Sequence, residues 1–372
     1  MCEGAGGGGS GGGSGPGPLL ASSQPVYYST GIETYSVADL GFGSARGQIL
    51  LGRQYRTLSP NVGAFGRGAN HSYGYSLDSA KPATAQAINF ITPDWDFFLF
   101  SRQPDGTLLN TTNPVFMGAV MRTRPDGSAQ IRWKNGVLFE FQAPGVLVPQ
   151  LASIIDRNGN VTSLTRDGVR LTRITDPTGR SIQLTYDNSN RIISATDPIG
   201  RTVQYAYNAL GSLASATDPM GGVTRYEYEA ADRLSTIIDP RNVVVVENTY
   251  DGNGRVVQQK YADGGIQRME YTPLNPTVAR SPVIQTTVTD PMGKRAIYRF
   301  DPAGNLLSTT DALGQGRTYH RRAGSNMIEA VTGSGSCATC GSAPGDVSYT
   351  LDGIGNVLSR MPSTEQIRPR ST

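Results

Sequence analysis

The chain of 372 residues is poor in the residues that most protein chemistry needs. It has three cysteines and two histidines. Three cysteines cannot build a disulfide scaffold at this length. His71 and His320 lie some 250 residues apart, and neither has a serine or cysteine setting that suggests a catalytic triad. Charged residues make up 17% and the formal charge is only +3. The arginines are also spread along the chain instead of massed in one stripe, which excludes the usual footprint of a nucleic-acid binder. No apolar run approaches the ~20 residues that span a bilayer. The opening MCEGAGGGGSGGGSGPGP has neither the basic nor the apolar region of a secretory signal. Export by another route, or a start upstream of this sequence, is therefore expected.

Glycine and proline are plentiful, at 46 and 23, and 17 tyrosines stand against two tryptophans. Frequent turns and aromatic-rich strands follow. Residues 1–25 read as a flexible Gly/Ser-rich tether. A G-x-S-x-G pattern at Gly8, Ser10 and Gly12 lacks the strand and helix that a nucleophile elbow requires. Residues 26–150 read as a β-rich head, with hairpin signals at Pro125-Asp126-Gly127 and Asn135-Gly136 and no convincing helix.

From 151 to 360 one phrase recurs. The aspartates Asp156, Asp176, Asp197, Asp218 and Asp239 fall 20 or 21 residues apart, and the register returns at Asp290 and Asp311. Residues 273–283 and 333–346 read as insertions, and 361–372 as a polar tail. Each unit offers two strands and two turns. In Asp176-Pro177-x-Gly179, Asp197-Pro198-x-Gly200, Asp218-Pro219-x-Gly221 and Asp290-Pro291-x-Gly293, proline presets one turn residue and glycine takes the conformation others resist. The strand that follows alternates. Ile182, Leu184 and Tyr186 match Val203, Tyr205 and Tyr207, then Thr224, Tyr226 and Tyr228, with Tyr298 in a later copy. One face is aromatic and aliphatic, the other mostly polar. The strand before the turn shows less distinct faces. Near Asn242, Tyr250 arrives one residue late, which predicts a bulge or lengthened turn between Asn242 and Val246.

A unit alone is unstable. Burying three large side chains stabilises by ~5–9 kcal/mol, whereas fixing 21 backbones costs roughly 20–40 kcal/mol. Neighbouring units must therefore shield one another.

The stretches LTYDNSNRIISATDPIGR, YAYNALGSLASATDPMGG and YRFDPAGNLLSTTDALGQ resemble the YD repeat of the rearrangement-hotspot (Rhs) family, over about 200 residues from Leu151 to Arg360. The segment beginning TGIETYSVADLGFGSARGQILLGRQYRTLSP is similar to the one that precedes the repeats there, and IIDRNGN resembles the junction. The resemblance implies an all-β fold, an antiparallel sheet that curls into part of a hollow shell. In bacterial members such a shell encloses a toxic C-terminal domain; teneurins use a related barrel in adhesion. The partners implied are the chain's own C-terminal cargo or a secretion machinery, with glycans or a neighbouring cell surface as the alternative, at a secreted or cell-surface location. Nothing after Arg360 resembles the plug and self-cleaving aspartate site of toxin carriers, so an incomplete shell is expected.

Candidate chemistry is sparse. Cys337-Ala338-Thr339-Cys340 has the spacing of half a zinc site. A local disulfide and an inert, exposed thiol pair are the alternatives, the inert pair being preferred. Asp156, Asn158 and Asn160 imitate the start of a calcium loop, but the glycine and the terminal acid are misplaced, so a turn is the preferred reading. The evenly spaced turn aspartates occupy equivalent settings and are read as structural. The repeat tyrosines suit sugar faces, yet core packing explains them better. No catalytic residue and no cofactor is expected.

Overall fold

The structure, a computed structural model, describes residues 26–79, 81–143, 149–333 and 346–362. Among these, every regular element is a strand apart from one short 3-10 turn, Pro114–Phe116. Twenty-six strands, from Ser76–Asp78 to Val357–Pro362, follow one another in a single antiparallel sheet in which chain neighbours are also sheet neighbours. The ladder as a whole is not closed into a barrel. Only its first strands are drawn into a ring, where Ser76 bridges Gln150, Leu77 N–H donates to Pro149 O and Leu151 N–H to Tyr75 O. Phe90, Phe100, Phe116 and Phe141 fill that ring. Pairing passes from Leu138–Phe141 through Leu151–Ile155 into the repeats without a break.

Each repeat contributes one strand of clean alternation and one strand with a bulge. In Ser181–Tyr186 and Thr202–Tyr207, buried and exposed residues alternate, with Ile182, Leu184, Val203 and Tyr205 inward. The paired strand departs from this pattern. Thr185 pairs with Ser194 but Tyr186 with Ile192, so Ile193 is an extra residue. The same offset recurs opposite Tyr207, Tyr228, Tyr250 and Phe300. One extra residue reverses side-chain parity. Ile192 and Ala195, Leu213 and Ala216, and Leu234 and Ile237 are therefore all buried at a spacing of three. This accounts for the indistinct faces of that strand in the sequence. A further register shift brings Ile237 opposite Val246 and Ile238 opposite Val244, which places the irregularity near Asn242 at Val245.

The sheet curls far enough for its end to lie over its beginning. Asn326 Nδ2 donates to Thr112 O at 2.9 Å, and Lys134 Nζ to Ile354 O at 3.2 Å. Residues 26–75 cover the inner, tyrosine-bearing face. Within them the hairpin of Thr34–Ser44 and Gly47–Arg56 lies along the wall, extended by Ala69–His71. Leu40, Ile49, Leu51, Tyr55 and Phe65 share one core with Ile182, Leu184, Tyr205 and Tyr226 of the repeats.

Candidate functional site: the inner face of the wall

The turn residues singled out from the sequence hold one rim of the wall. Asp176 Oδ1 accepts from the backbone N–H of Thr178 and Arg180, at 2.8 and 2.9 Å, while Oδ2 pairs with the Arg180 guanidinium. Asp197 does the same with Ile199 and Arg201. Asp218 accepts from Met220 and Gly222, and Asp290 from Met292 and Lys294. Burial raises the Asp176 pKa, but the bonds from Thr178 and Arg180 outweigh it and hold the carboxyl down at about 2. Gly179, Gly200, Gly221 and Gly293 all sit at φ between 79° and 88°, the left-handed region that side chains resist. Pro177 lies against the hairpin tip at Gly47. Pro198, Pro219 and Pro291 occupy the equivalent second turn position.

The tyrosines divide into two classes by position. The second of each pair ties one unit to the one before. Tyr186 O–H donates to Leu171 O at 2.8 Å and Tyr228 O–H to Leu213 O at 2.9 Å; Tyr207 reaches Ile192 O in the same way. Each accepting carbonyl belongs to the residue just before the bulge. The first tyrosine of each pair reaches across to residues 26–75. Tyr205 O–H donates to Asp39 Oδ2 at 2.7 Å, and Arg53 Nη1 donates to the Tyr226 oxygen at 3.0 Å. Arg53 and Asp39 form a bidentate ion pair, at 2.7 and 2.9 Å, with side chains 7% and 5% exposed. Burial disfavours the charged guanidinium, but Asp39 outweighs burial and keeps Arg53 protonated. The Tyr298 ring packs at 5.0 Å from that of Tyr28.

The contact continues along the wall. Leu234 N–H donates to the Tyr55 oxygen, Ile192 N–H to Ala64 O and Val256 N–H to Gly31 O. These donors all stand at the bulge, so the irregularity that opens the ladder presents backbone N–H groups to the covering segment. In the next unit the first tyrosine is replaced by Asn248. Its Nδ2 donates to Glu33 Oε1 at 2.7 Å, and Tyr250 O–H donates to Glu33 Oε2. Further on, Gln267 Nε2 donates to the Tyr28 oxygen, and the Thr286 hydroxyl to Tyr28 O.

Glu33, Asp39 and Arg53 were not singled out from the sequence. Each is a single polar residue within an otherwise strand-like head. The available signal lay in the repeats, where Asn248 and Gln267 break an apolar inner-face pattern at positions facing the chain's own polar groups.

Other candidates have local roles. Asp156 accepts from Asn158 N–H, Asn160 N–H and Asn160 Nδ2, which commits both its oxygens to the turn. His71 is buried and its Nδ1 accepts from Tyr73 N–H; burial, with nearby Arg166, pushes its pKa down to about 3. His320 contacts Thr332 Oγ1 at 2.8 Å. No group of three or more metal-ligating side chains occurs among the described residues. Cys337 and Cys340 lie outside them. No helix among the described residues is long and apolar enough to cross a membrane.

A long antiparallel sheet built from repeated two-strand units, its inner face covered by a preceding segment of the same chain, defines an all-β repeat protein with a structural wall. The RHS Repeat family model matches residues 166–202, 189–219, 207–244 and 285–316, so the chain carries Rhs/YD repeats over these stretches. Comparison with curated proteins finds no match. Among solved structures, the chain is similar to TcdB2-TccC3 without its hypervariable C-terminal region, at 16% identity and a TM-score of 0.42 over 75% of this chain. TcdB2-TccC3-Cdc42 follows at 16% identity and 0.41 over 73%, and a Photorhabdus luminescens Tc holotoxin pore at 17% and 0.39 over 74%. The chain spans 18% of the length of each of these chains.

Proposed function

We propose that this chain is a wall segment of an exported Rhs shell that encloses or presents a C-terminal cargo, and that it performs no catalysis itself. The observation that carries the reading is the overlap of the sheet's ends, through Asn326 on Thr112 and Ile354 on Lys134. A sheet that returns over itself while remaining open along its length is a curved wall instead of a flat surface, and residues 26–75 line its inner face. The turn and inner-face side chains described above serve the wall's own hydrogen bonds, which supports a structural reading of the repeats. The family resemblance supports the reading of export and of a cargo.

Protease protection tests it. Protein isolated from its natural source is digested with trypsin before and after unfolding, and the fragments are mapped. A segment beyond residue 362 that survives in the native protein and is cut after unfolding supports enclosure. Cleavage of that segment at the same rate in both states would refute it.

A further inference from the structure

Residues 273–283, which interrupt the repeat spacing in the sequence, form an ordered turn. The strands Ile266–Pro273 and Val283–Thr289 stay paired up to Pro273 and Val283. Between them Leu274 N–H donates to Pro282 O, and Asn275 N–H to the Ser281 hydroxyl at 2.9 Å. The Asn275 side chain in turn accepts from Thr277 N–H. This turn brings Ala279 and Arg280 to one side of a cleft of about 470 Å³. Its other sides include residues 58–60 and 67–68 of the covering segment and the repeat turns at 231–233 and 252–254. The cleft shares no residue with the seam, where Asn326 meets Thr112 and Lys134 meets Ile354.

Four guanidiniums and one carboxylate line this cleft: Arg56, Arg67, Arg233, Arg280 and Asp232. The acids that pair with Arg56 and Arg233, namely Asp94, Asp96 and Glu229, are not part of the lining. Asp232 is already engaged, since its oxygens accept from the Ser212 hydroxyl and Oδ2 lies 3.0 Å from Arg67 Nε. The other N–H groups of Arg67, a half-exposed side chain, are available to a ligand. Arg280 is exposed and makes no hydrogen bond or ion pair among the described residues. The backbone is strained at the same place. Leu58, Asp232 and Arg280 hold φ between 57° and 65°. Asp232 stands where Gly211 and Gly254 stand in neighbouring repeat turns, but Leu58 and Arg280 follow no such pattern. Side chains other than glycine resist this region, and such strain concentrates where a surface is formed in advance for binding.

We propose that this cleft binds a small phosphate monoester, its phosphate shared by Arg67, Arg233 and Arg280. The origin of the arginines decides between oxyanions. Arg67 stands on the covering segment, Arg233 on a repeat turn and Arg280 on the inserted turn, so three separate elements supply the donors. A planar carboxylate offers two oxygens along one edge and suits a single guanidinium fork. A phosphate monoester presents three oxygens and close to two charges, and can meet several forks at once. The volume suits a ligand of sugar-phosphate size. Leu58, Pro60 and Ala279 offer apolar surface to its body, and the Asn253 amide offers hydrogen bonds to its hydroxyls. The ligand would bridge covering segment and wall, and so favour the covered state by mass action. The site is complete within this chain and goes beyond the shell reading without resting on it.

Isothermal titration of the 372-residue chain with glucose 6-phosphate, inorganic phosphate, glucuronate and glucose, at fixed ionic strength, tests the assignment. Expected are saturable binding of glucose 6-phosphate and none of glucose. Arg280→Gln and Arg67→Gln should each weaken the ester by ~10-fold or more, the loss that follows removal of a charged hydrogen-bond donor. Arg280 is exposed, so Arg280→Gln keeps the fold and its melting temperature without ligand should match the parent's. Arg280→Lys, which keeps the charge and loses the fork, should recover part of the affinity. Inorganic phosphate that binds and weakens in both Gln variants supports the same site. Glucuronate binding as tightly as the ester would give the cleft to carboxylates and overturn the choice of phosphate. Absence of saturable binding by both phosphate probes, or binding that survives both Gln variants, overturns the site itself and leaves the shell reading untouched.

Discussion

The Glu33 carboxylate and the Asn248 amide meet at 2.7 Å inside the wall, with Glu33 only 1% exposed. The groups facing Glu33 are neutral: Asn248 and Tyr250 from the repeats, and Tyr55 and Thr57 from the covering segment. No ion pair to Glu33 is formed among the described residues. Burial therefore raises its pKa to about 7 from an ordinary 4.5, against the opposing bonds from Asn248 and Tyr250.

A raised carboxyl pKa in the folded state fixes the sign of the pH dependence. The Glu33 contribution is fully present below the unfolded value near 4.5 and is lost as pH rises through about 7. The loss above that is on the order of 3 kcal/mol. Denaturant midpoints at pH 5.5 and 8.5 should show the drop, and Glu33→Gln should abolish most of it. Equal slopes in the two proteins would exclude Glu33 as the source.

The Asp39–Arg53 pair is buried and bonded at both ends by Tyr205 and Tyr226. Arg53→Met leaves the carboxylate uncompensated and should cost about 3–5 kcal/mol. Arg53→Met with Asp39→Leu should recover much of that loss, since the charge is gone. Urea unfolding of the three proteins gives the comparison, and a double variant as weak as the single one contradicts it.

Tyr207→Phe and Tyr228→Phe keep the ring and remove the hydroxyl that serves Ile192 O or Leu213 O. Each should lower stability by ~1–3 kcal/mol, the penalty for a buried carbonyl without its donor. Amide hydrogen exchange should quicken first at the bulge of the preceding unit. A uniform change across the wall would mean the bond has no local role.

Two glycines separate backbone strain from packing. Gly200 has φ 86° and nothing within 4 Å of an added Cβ, whereas Gly355 has φ 80° and Met327 at 2.6 Å. Gly200→Ala should cost ~1 kcal/mol through its dihedral alone. Gly355→Ala should cost more and speed oxidation of Met327 at the seam. Equal thermal shifts for the two would show that the seam is not tightly packed.

The repeats were legible because their information is local. Asp-Pro-x-Gly sets a turn through proline's fixed φ and glycine's freedom, and alternation to Tyr186, Tyr207 and Tyr228 identifies an inward face within a few residues. Even the irregularity near Asn242 showed as a slip in spacing. The bulges at Ile193 and its counterparts blurred their strand because parity counts from a register that sequence does not print. The covering of the inner face was not legible at all. Tyr205 donates to Asp39 across 166 positions of chain, and Asn248 to Glu33 across 215. Short-range steric and hydrogen-bonding preferences thus determined the strands, turns and buried faces from sequence alone. Which polar residues would meet inside the wall, and where the sheet would return over itself, depended on accumulated curvature over many units, and only the tertiary structure decided it.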